Sequence, residues 1–186
     1  AAGYGGDKGI FRGGYNGSGQ LGLSNLVSNQ GVVASDVAKV GGNRVNAAAA
    51  SYGTGLAIFA FGDSSGNVND KNLVNSSGVV ASDSSGAGSA RSGLAACGYG
   101  FDKAIFAFGK TSTVASDVSG VGAGGKGGAG CSYGGDKALF SYGSAPGDAI
   151  TNSRRLVSNE GVISSDASGA GTLRYYLAAC GYSQSA

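Results

Sequence analysis

The sequence predicts an all-β fold built from repeated small sheets, and three observations lead to this prediction. Gly accounts for 38 of 186 residues and Pro for one, while apolar residues make up 41%. That apolar fraction is too high, and the charged fraction of 13% too low, for a disordered chain. Short apolar runs of strand length alternate with clusters of Gly, Asn, Asp and Ser, and two phrases of this kind recur along the chain.

The first phrase joins a small residue, a marker Tyr and a Gly-rich turn to an apolar run that ends in Phe. It occupies residues 2–11, 97–106 and 131–140, with a weaker copy at 50–59 and a fifth start at 180–182. Its tyrosines stand at 4, 52, 99, 133 and 182, in steps of 48, 47, 34 and 49. The third unit is therefore shorter than the others.

The second phrase contains Leu-Val, then Gly-Val, and ends in a marker Asp. It occupies residues 25–36, 72–83 and 155–166, and an Arg follows each of these aspartates eight positions later. The marker aspartates Asp36, Asp83, Asp117 and Asp166 are separated by 47, 34 and 49 residues, so their spacing also shortens at the third unit. We divide this single repeat domain into units of about 1–44, 45–91, 92–125 and 126–174, followed by a stub of residues 175–186.

Each full unit is predicted to form four short strands. In the second unit they are residues 46–51, 56–61, 71–75 and 78–82. The second strand is apolar on both faces and is therefore predicted to be interior to its sheet. Alternation puts Ile105, Ala107 and Gly109 on one face and Phe106 with Phe108 on the other. The Gly-Gly-Asp-Lys link predicts a tight hairpin, because Gly tolerates positive φ.

Four strands in about 47 residues is the size of one β-propeller blade. The Ala-rich first strands fit this fold, because the innermost strands crowd around an axis where small side chains are required. We therefore predict a small propeller of about four blades with a shortened third blade. A β-solenoid is the alternative fold.

The whole unit resembles Gly-Tyr-Gly-x-Asp-Lys-Ala-Ile-Phe repeats of uncharacterised phage and environmental bacterial proteins. In outline it resembles a kelch-like blade, and residues 17–23 resemble a fragment of the chromosome-condensation-regulator type of propeller repeat. These resemblances imply a repeated β fold and little known chemistry.

The residue types argue against catalysis. The chain has no His, which is the commonest acid–base catalyst and metal ligand, so we expect no enzyme, no cofactor and no metal site. The Asp-Lys pairs at 7–8, 102–103 and 136–137 are predicted hairpin turns, with a repeated ligand-binding pair as the alternative. The marker aspartates are predicted to cap turns and to pair with the Arg eight residues on, with metal or sugar binding as the alternative. These predicted ties are Asp36–Arg44, Asp83–Arg91 and Asp166–Arg174, whereas the third unit has Gly125 in the Arg position.

Other residue types are given structural roles. Cys97, Cys131 and Cys180 share one repeat position with Ala2 and Ala50, so we interpret them as small fillers near the axis, with a disulfide or metal site as the alternative. The tyrosines are predicted to pack between units, with stacking on sugars as the alternative. Asn16 and Asn75 stand in acceptor-type sequons that matter only after export.

The stub has the sequence of one inner strand without a blade to follow it. It comprises Tyr175, Tyr176, Leu177, Ala178, Ala179, Cys180, Gly181 and Tyr182 before the last four residues. We expect it to complete a sheet in a neighbouring copy by strand addition. The alternative is that it pairs beside the N-terminal unit of its own chain and closes the ring. The predicted function is a non-enzymatic structural subunit of an extracellular or virion-surface assembly, as a self-assembling filament or phage-fibre-like element.

The alternative function is a glycan-binding, lectin-like adhesion module. The expected partners are further copies of the chain and, for the alternative, glycans. Nucleic acid is not expected, because 13 basic and 11 acidic residues are scattered without a basic stripe. A membrane span is not expected either, because no stretch approaches about 20 apolar residues.

Overall fold

A computed structural model of the chain describes residues 1–86, 88–111, 125–145 and 148–181. In this part of the chain all regular structure is β-strand. The strands are β1 (Ala2–Tyr4), β2 (Lys8–Tyr15), β3 (Gln20–Val27), β4 (Ala48–Tyr52), β5 (Leu56–Ala60), β6 (Asp70–Val74), β7 (Ser84–Ser85), β8 (Arg91–Ser92), β9 (Ala95–Tyr99), β10 (Lys103–Ala107), β11 (Lys110–Thr111), β12 (Ala129–Tyr133), β13 (Lys137–Ser141) and β14 (Arg154–Val157).

The strands form small antiparallel sheets, in which chain neighbours pair except for β8 and β11. The first unit gives the sheet β1-β2-β3, the second β4-β5-β6-β7 and the fourth β12-β13-β14, while β9 pairs with β10 and β8 with β11. The second strand of each larger sheet lies between the first and third, as its two apolar faces predicted. The prediction of an all-β fold is confirmed for the described residues, where no helix long and apolar enough to cross a membrane occurs.

The hairpins between first and second strands depend on residues with positive φ. Gly5 and Gly6 have φ of 60° and 86°, and Gly134 and Gly135 have φ of 60° and 84°. The third unit instead places Phe101 in this conformation, with φ of 65° and an exposed side chain. A residue with a Cβ is strained in the left-handed backbone conformation, so Gly is the residue that suits these turns.

The predicted alternation along the second strand is wrong at Phe108. The strand β10 ends at Ala107, and Phe108 follows with φ of 65°. This turn moves its ring to the side of Ile105, where it lies 5.5 Å from the ring of Phe140. Phe106 packs on the opposite side, 5.6 Å from the ring of Phe61. A single positive φ therefore sends two aromatic rings into different interfaces.

The fourth strand of each full unit is weaker than predicted. In the second unit, the segment predicted as residues 78–82 contributes one bridge between Val74 and Val80, and pairing resumes only at β7. Comparable single bridges join Val27 to Val33 and Val157 to Ile163. This outer edge exposes its other apolar residues, so few contacts hold it in a regular strand.

The core lies between consecutive units rather than inside any one of them. One cluster joins Tyr4 and Ile10 of the first unit to Phe59 of the second. A second cluster joins Phe61 of the second unit to Leu94 of the third, and the last joins the third unit to the fourth. Each unit is therefore stabilised chiefly by its neighbours, as in other repeat proteins. Asp117 falls outside the described residues.

Candidate functional site

The first strands of the four units lie side by side around one groove of about 600 Å³. The residue before each marker Tyr alternates between Gly and Ser around this groove, as Gly3, Ser51, Gly98, Ser132 and Gly181. Ser51 accepts a hydrogen bond from the Gly3 amide at 2.9 Å, and the Ser132 hydroxyl donates to the Gly98 carbonyl at 2.9 Å. The small glycine positions allow neighbouring backbones to approach closely.

The three cysteines line this groove in successive strands. All are free thiols, with Cys97 buried, Cys131 half-buried and Cys180 exposed. Burial raises the pKa of Cys97 to about 12, and the neighbouring Cys131 adds to the shift. Burial also raises the pKa of Cys131, with Cys180 contributing. Nowhere in the described residues does a group of His, Cys, Asp or Glu have the arrangement needed to hold a metal ion.

The stub follows the path of an inner strand. The amide of Tyr176 donates to the Gly127 carbonyl at 2.7 Å, extending a series in which Gly127 donates to Gly93 and Gly93 to Asn46. The four residues of this series, Asn46, Gly93, Gly127 and Tyr176, occupy one repeat position, and all have positive φ. Further along, a Cβ on Gly181 would lie 2.6 Å from the Ser132 carbonyl, as one on Gly98 would from the Ser51 carbonyl.

The stub nevertheless remains without a sheet partner among the described residues. Tyr175 and Tyr176 are exposed, with ring centroids 4.7 Å apart, and residues 178–181 are exposed as well. Leu177 is half-buried, and Tyr182 lies outside the described residues. The structure thus positions the stub for an inner strand but does not add a second strand to it.

The predicted tie between Asp36 and Arg44 is wrong, because Arg44 binds residues of the second unit instead. The Arg44 side chain is buried and reaches the next unit, where it donates to the Asp70 carbonyl at 2.7 Å and to Asn72 Oδ1. It also lies 3.7 Å from Asp83 Oδ1. The segment between Asp36 and Arg44 leads out of the first unit, so Arg44 connects two units instead of two strands of one unit.

The carboxylate of Asp83 is the acceptor at this junction. Burial raises its pKa, but hydrogen bonds from the Gly42 amide at 2.6 Å and from Asn72 at 2.7 Å, with the charge of Arg44, lower the pKa below its ordinary value. Burial lowers the pKa of Arg44, against the attraction of Asp83. The junction is therefore a charged hydrogen-bond network at the boundary between the first and second units.

At the junction between the third and fourth units, the guanidinium comes from the unit after the junction instead of the unit before it. The third unit has Gly125 at the Arg position, and the fourth unit has Arg155 where the second has Asn72. Arg155 is buried and pairs with Asp166 of its own unit. Its guanidinium lies 4.4 Å from the centroid of the Phe108 ring.

Two other arginines make the same stacking contact. Arg91 lies 4.8 Å from the centroid of Phe61, and Arg174 lies 4.3 Å from that of Tyr142. The guanidinium therefore recurs beside the residue that directly follows the second strand, whichever unit supplies it. Arg155 was not singled out from the sequence, although its replacement of Asn next to the unit with Gly125 was a usable signal.

The remaining predicted residues lie in exposed turns. Lys8 and Lys103 each donate to the preceding Asp, at 2.9 Å and 2.5 Å. Asn16 Oδ1 accepts from the amides of residues 18 and 19, and Asn75 Oδ1 accepts from those of residues 77 and 79. Both asparagines are exposed turn caps, and their glycosylation stays a prediction.

Comparison with known proteins informs the fold alone. No family model matches the chain, and no curated protein matches it. The chain is similar to the solved structure of YjhT, with a TM-score of 0.56 and 10% sequence identity over 78% of this chain and 51% of that one. It thus spans about half the length of that structure. YjhT has a β-propeller-like fold, and the small antiparallel sheets of this chain are arranged in a similar way.

Proposed function

We propose that the chain is a non-enzymatic structural subunit of an extracellular or virion-surface assembly, in which copies join into filaments. In this proposal the four units are blades of a propeller-type arc, and the third blade is the shortened one. The observation that supports the assembly role is the stub, which is held beside β12 by the Tyr176–Gly127 hydrogen bond while its residues 178–181 remain exposed and unpaired with any described strand. Strand addition by a neighbour would use this edge.

The opposite end of the arc supports the same role. Phe11 is 53% exposed, whereas Phe59 and Phe140, at the same repeat position, are 3% and 1% exposed. In the second and fourth units, the preceding unit covers this face of the sheet. In the first unit, the same face is exposed. A neighbouring copy would cover it in a filament. Such a contact between two different surfaces is heterologous, and it extends indefinitely unless it closes.

The groove favours a structural role over glycan binding. Its described lining is dominated by Ala, Gly, Ser and Cys. The Ser51 hydroxyl already accepts a hydrogen bond from the Gly3 amide and donates one to the Gly3 carbonyl, and the Ser132 hydroxyl donates to the Gly98 carbonyl. A sugar site needs several polar side chains with unused donors or acceptors. The groove lining therefore serves backbone packing.

The test compares the intact chain with a chain truncated after Arg174, using light scattering after size exclusion and negative-stain electron microscopy. We expect the intact chain to form regular particles that grow with concentration, and the truncated chain to stay monomeric. Unchanged assembly after truncation would contradict strand donation. An intact chain that remains monomeric and binds a glycan array would favour the adhesion module instead.

A further inference from the structure

We propose that Arg174 of one copy binds Asn25 and Asp36 of a second copy, repeating the junction that Arg44 makes inside the chain. This inference rests on the proposed self-assembly and names the contact that determines which faces meet. The second copy would present its first unit to the fourth unit of the first copy.

The template is the acceptor pair in the second unit. Asn72 donates through Nδ2 to Asp83 Oδ1 at 2.7 Å and to the Ala81 carbonyl at 2.9 Å. This orientation leaves Asn72 Oδ1 directed at the preceding unit, where it accepts from Arg44. The pair is thus one amide oxygen and one carboxylate held ready for a guanidinium.

The first unit has the same pair without its Arg. Asn25 donates through Nδ2 to Asp36 Oδ1 at 2.8 Å and to the Ala34 carbonyl at 3.2 Å. In the described part of the chain, no side chain donates to Asn25 Oδ1 and no cation pairs with Asp36. Asp36 is exposed. The acceptor site is therefore formed and accessible.

The fourth unit presents the matching donor. Arg174 is exposed, and its carbonyl accepts from the Gly143 amide at 3.0 Å, as the Arg44 carbonyl accepts from the Gly14 amide at 3.2 Å. Stacking over Tyr142 holds the guanidinium beside the end of the second strand. Its charge makes no ion pair with a described residue. The same backbone contact thus positions an Arg at each of the two places.

The approach to the carboxylate is repeated as well. Gly41 and Gly171 have φ of 79° and 89°, and Asp83 lies so close to Gly41 that a Cβ there would be 2.1 Å from its Oδ1. The next amide, that of Gly42, donates to Asp83. The corresponding amide in the fourth unit belongs to Thr172, which is exposed and available to the second copy.

Apolar surfaces accompany the charges. In the first junction, Leu26 and Tyr4 of the first unit cover the cluster that contains Phe59. Leu156 and Tyr133 have the equivalent positions in the fourth unit, and both are partly exposed. Phe11 of a second copy would pack against them. Burial of these side chains adds hydrophobic stabilisation to the ion pair.

The stub and β1 of the second copy share this junction. β1 begins at Ala2, whereas the longer β4 begins at Ala48, so Ala178 and Ala179 correspond to Ala48 and Ala49, two strand positions before the start of β1. Cys180 and Gly181 correspond to Ala2 and Gly3, so the two pairs of residues would occupy the same place in the junction. One pair must therefore be displaced. β1 is hydrogen-bonded to β2, whereas residues 180 and 181 are exposed and pair with no described strand, so the stub yields.

The experiment uses two charge reversals on the full chain, Arg174→Glu and Asp36→Arg. Each creates like charges at the junction, so each variant alone should self-associate at least tenfold more weakly than the wild type. Mixing the two should restore assembly, because the new carboxylate at position 174 meets the new guanidinium at position 36. Sedimentation velocity and negative-stain images measure both results.

Matched controls separate this contact from general charge effects and from misfolding. Lys103→Glu and Asp102→Arg make the same charge changes in an exposed hairpin, and they should assemble as the wild type does. Urea unfolding checks that all four variants keep the wild-type stability. Wild-type assembly by both single reversals, or a mixture that fails to recover, would overturn the contact.

The inference and the proposed function fail in different ways. Assembly that survives both reversals but is lost on truncation after Arg174 rejects the Arg174–Asp36 contact and keeps strand donation. A wild-type chain that stays monomeric at every concentration rejects both. Truncation after Ala179, which removes the residues that overlap β1, should leave assembly at least as strong as in the intact chain, and loss of assembly in this variant would overturn the proposed overlap.

Discussion

At the scale of single residues, the arginines show that a junction can keep its charge while changing its donor. Arg44 comes from the unit before the junction and Arg155 from the unit after it, yet each guanidinium meets a marker aspartate. Buried guanidinium groups are costly unless they are paired and hydrogen-bonded. The loss of Arg at position 125 is therefore matched by a gain of Arg at position 155, which leaves Asp166 compensated.

Cys97 provides a pH-dependent prediction. Its pKa is about 12 in the folded chain against an ordinary 9.0, so above pH 9 the unfolded state loses a proton that the folded state keeps. Its contribution to the unfolding free energy is complete below pH 9 and is lost as pH rises towards 12, at up to about 1.4 kcal/mol per pH unit.

The measurement compares urea unfolding of the wild type and Cys97→Ala between pH 7 and 10.5. Ala occupies this repeat position in the first two units, so the variant should fold, and its stability should fall less steeply above pH 9. Cys180→Ala, at an exposed thiol, is the control and should follow the wild type. Equal alkaline slopes for wild type and Cys97→Ala would contradict the prediction.

At the scale of elements, the inner strands are held together by close backbone contact. In every second inner strand the residue before the marker Tyr is Gly, which has no side chain. The backbone at that position can therefore approach the carbonyls of the neighbouring strand. Gly98 is a clear case, since a Cβ there would lie 2.6 Å from the Ser51 carbonyl. Backbone atoms in a sheet cannot move aside as the end of a flexible side chain can.

We therefore expect Gly98→Ala to lower the free energy of unfolding by about 2 kcal/mol, the usual effect of overpacking. Gly19→Ala is the matched control, because a Cβ at Gly19 meets nothing within 4 Å and its φ is not positive. That variant should stay within about 0.5 kcal/mol of the wild type. Urea unfolding measures both, and equal stabilities would show that the inner strands separate readily.

At the scale of the whole molecule, stability and assembly depend on the same repeated face. Phe140 is covered by the third unit, whereas Phe11 has no described neighbour across its face and is exposed. Units that bury their faces only against each other leave two unmatched faces at the ends of the array. Those two faces are where the proposed contact between copies forms.

Substitution of these two phenylalanines should separate folding from assembly. Phe140→Ala should lower the free energy of unfolding by about 3 to 5 kcal/mol, because it creates a cavity in a packed interface. Phe11→Ala should leave the stability of dilute monomer within about 1 kcal/mol of the wild type and weaken self-association. Urea unfolding and sedimentation velocity give the two readouts. A large loss of monomer stability in Phe11→Ala would contradict the exposed position of this ring.

Much of the fold could be predicted because its signals are local. The hairpins at Gly5–Gly6 and Gly134–Gly135 follow from residues that tolerate positive φ, and the interior second strands follow from their apolar runs. The predicted first three strands of the second unit differ from β4, β5 and β6 by at most two residues at either end. The fourth strand was predicted as regular because its Val residues resemble a strand, but most of them lie on an exposed edge with little to pack against.

The sequence by itself determined the all-β class, the hairpin turns and the interior position of the second strands, since each depends on residues close together in the chain. Only the tertiary structure decided that Arg44 pairs with Asp83 in the next unit, because spacing along the chain does not show which neighbour a long side chain reaches. It also decided that Phe106 and Phe108 enter different interfaces, because a backbone torsion at Phe108 breaks the period of two. Partners across unit boundaries are set by packing, and no local pattern encodes them.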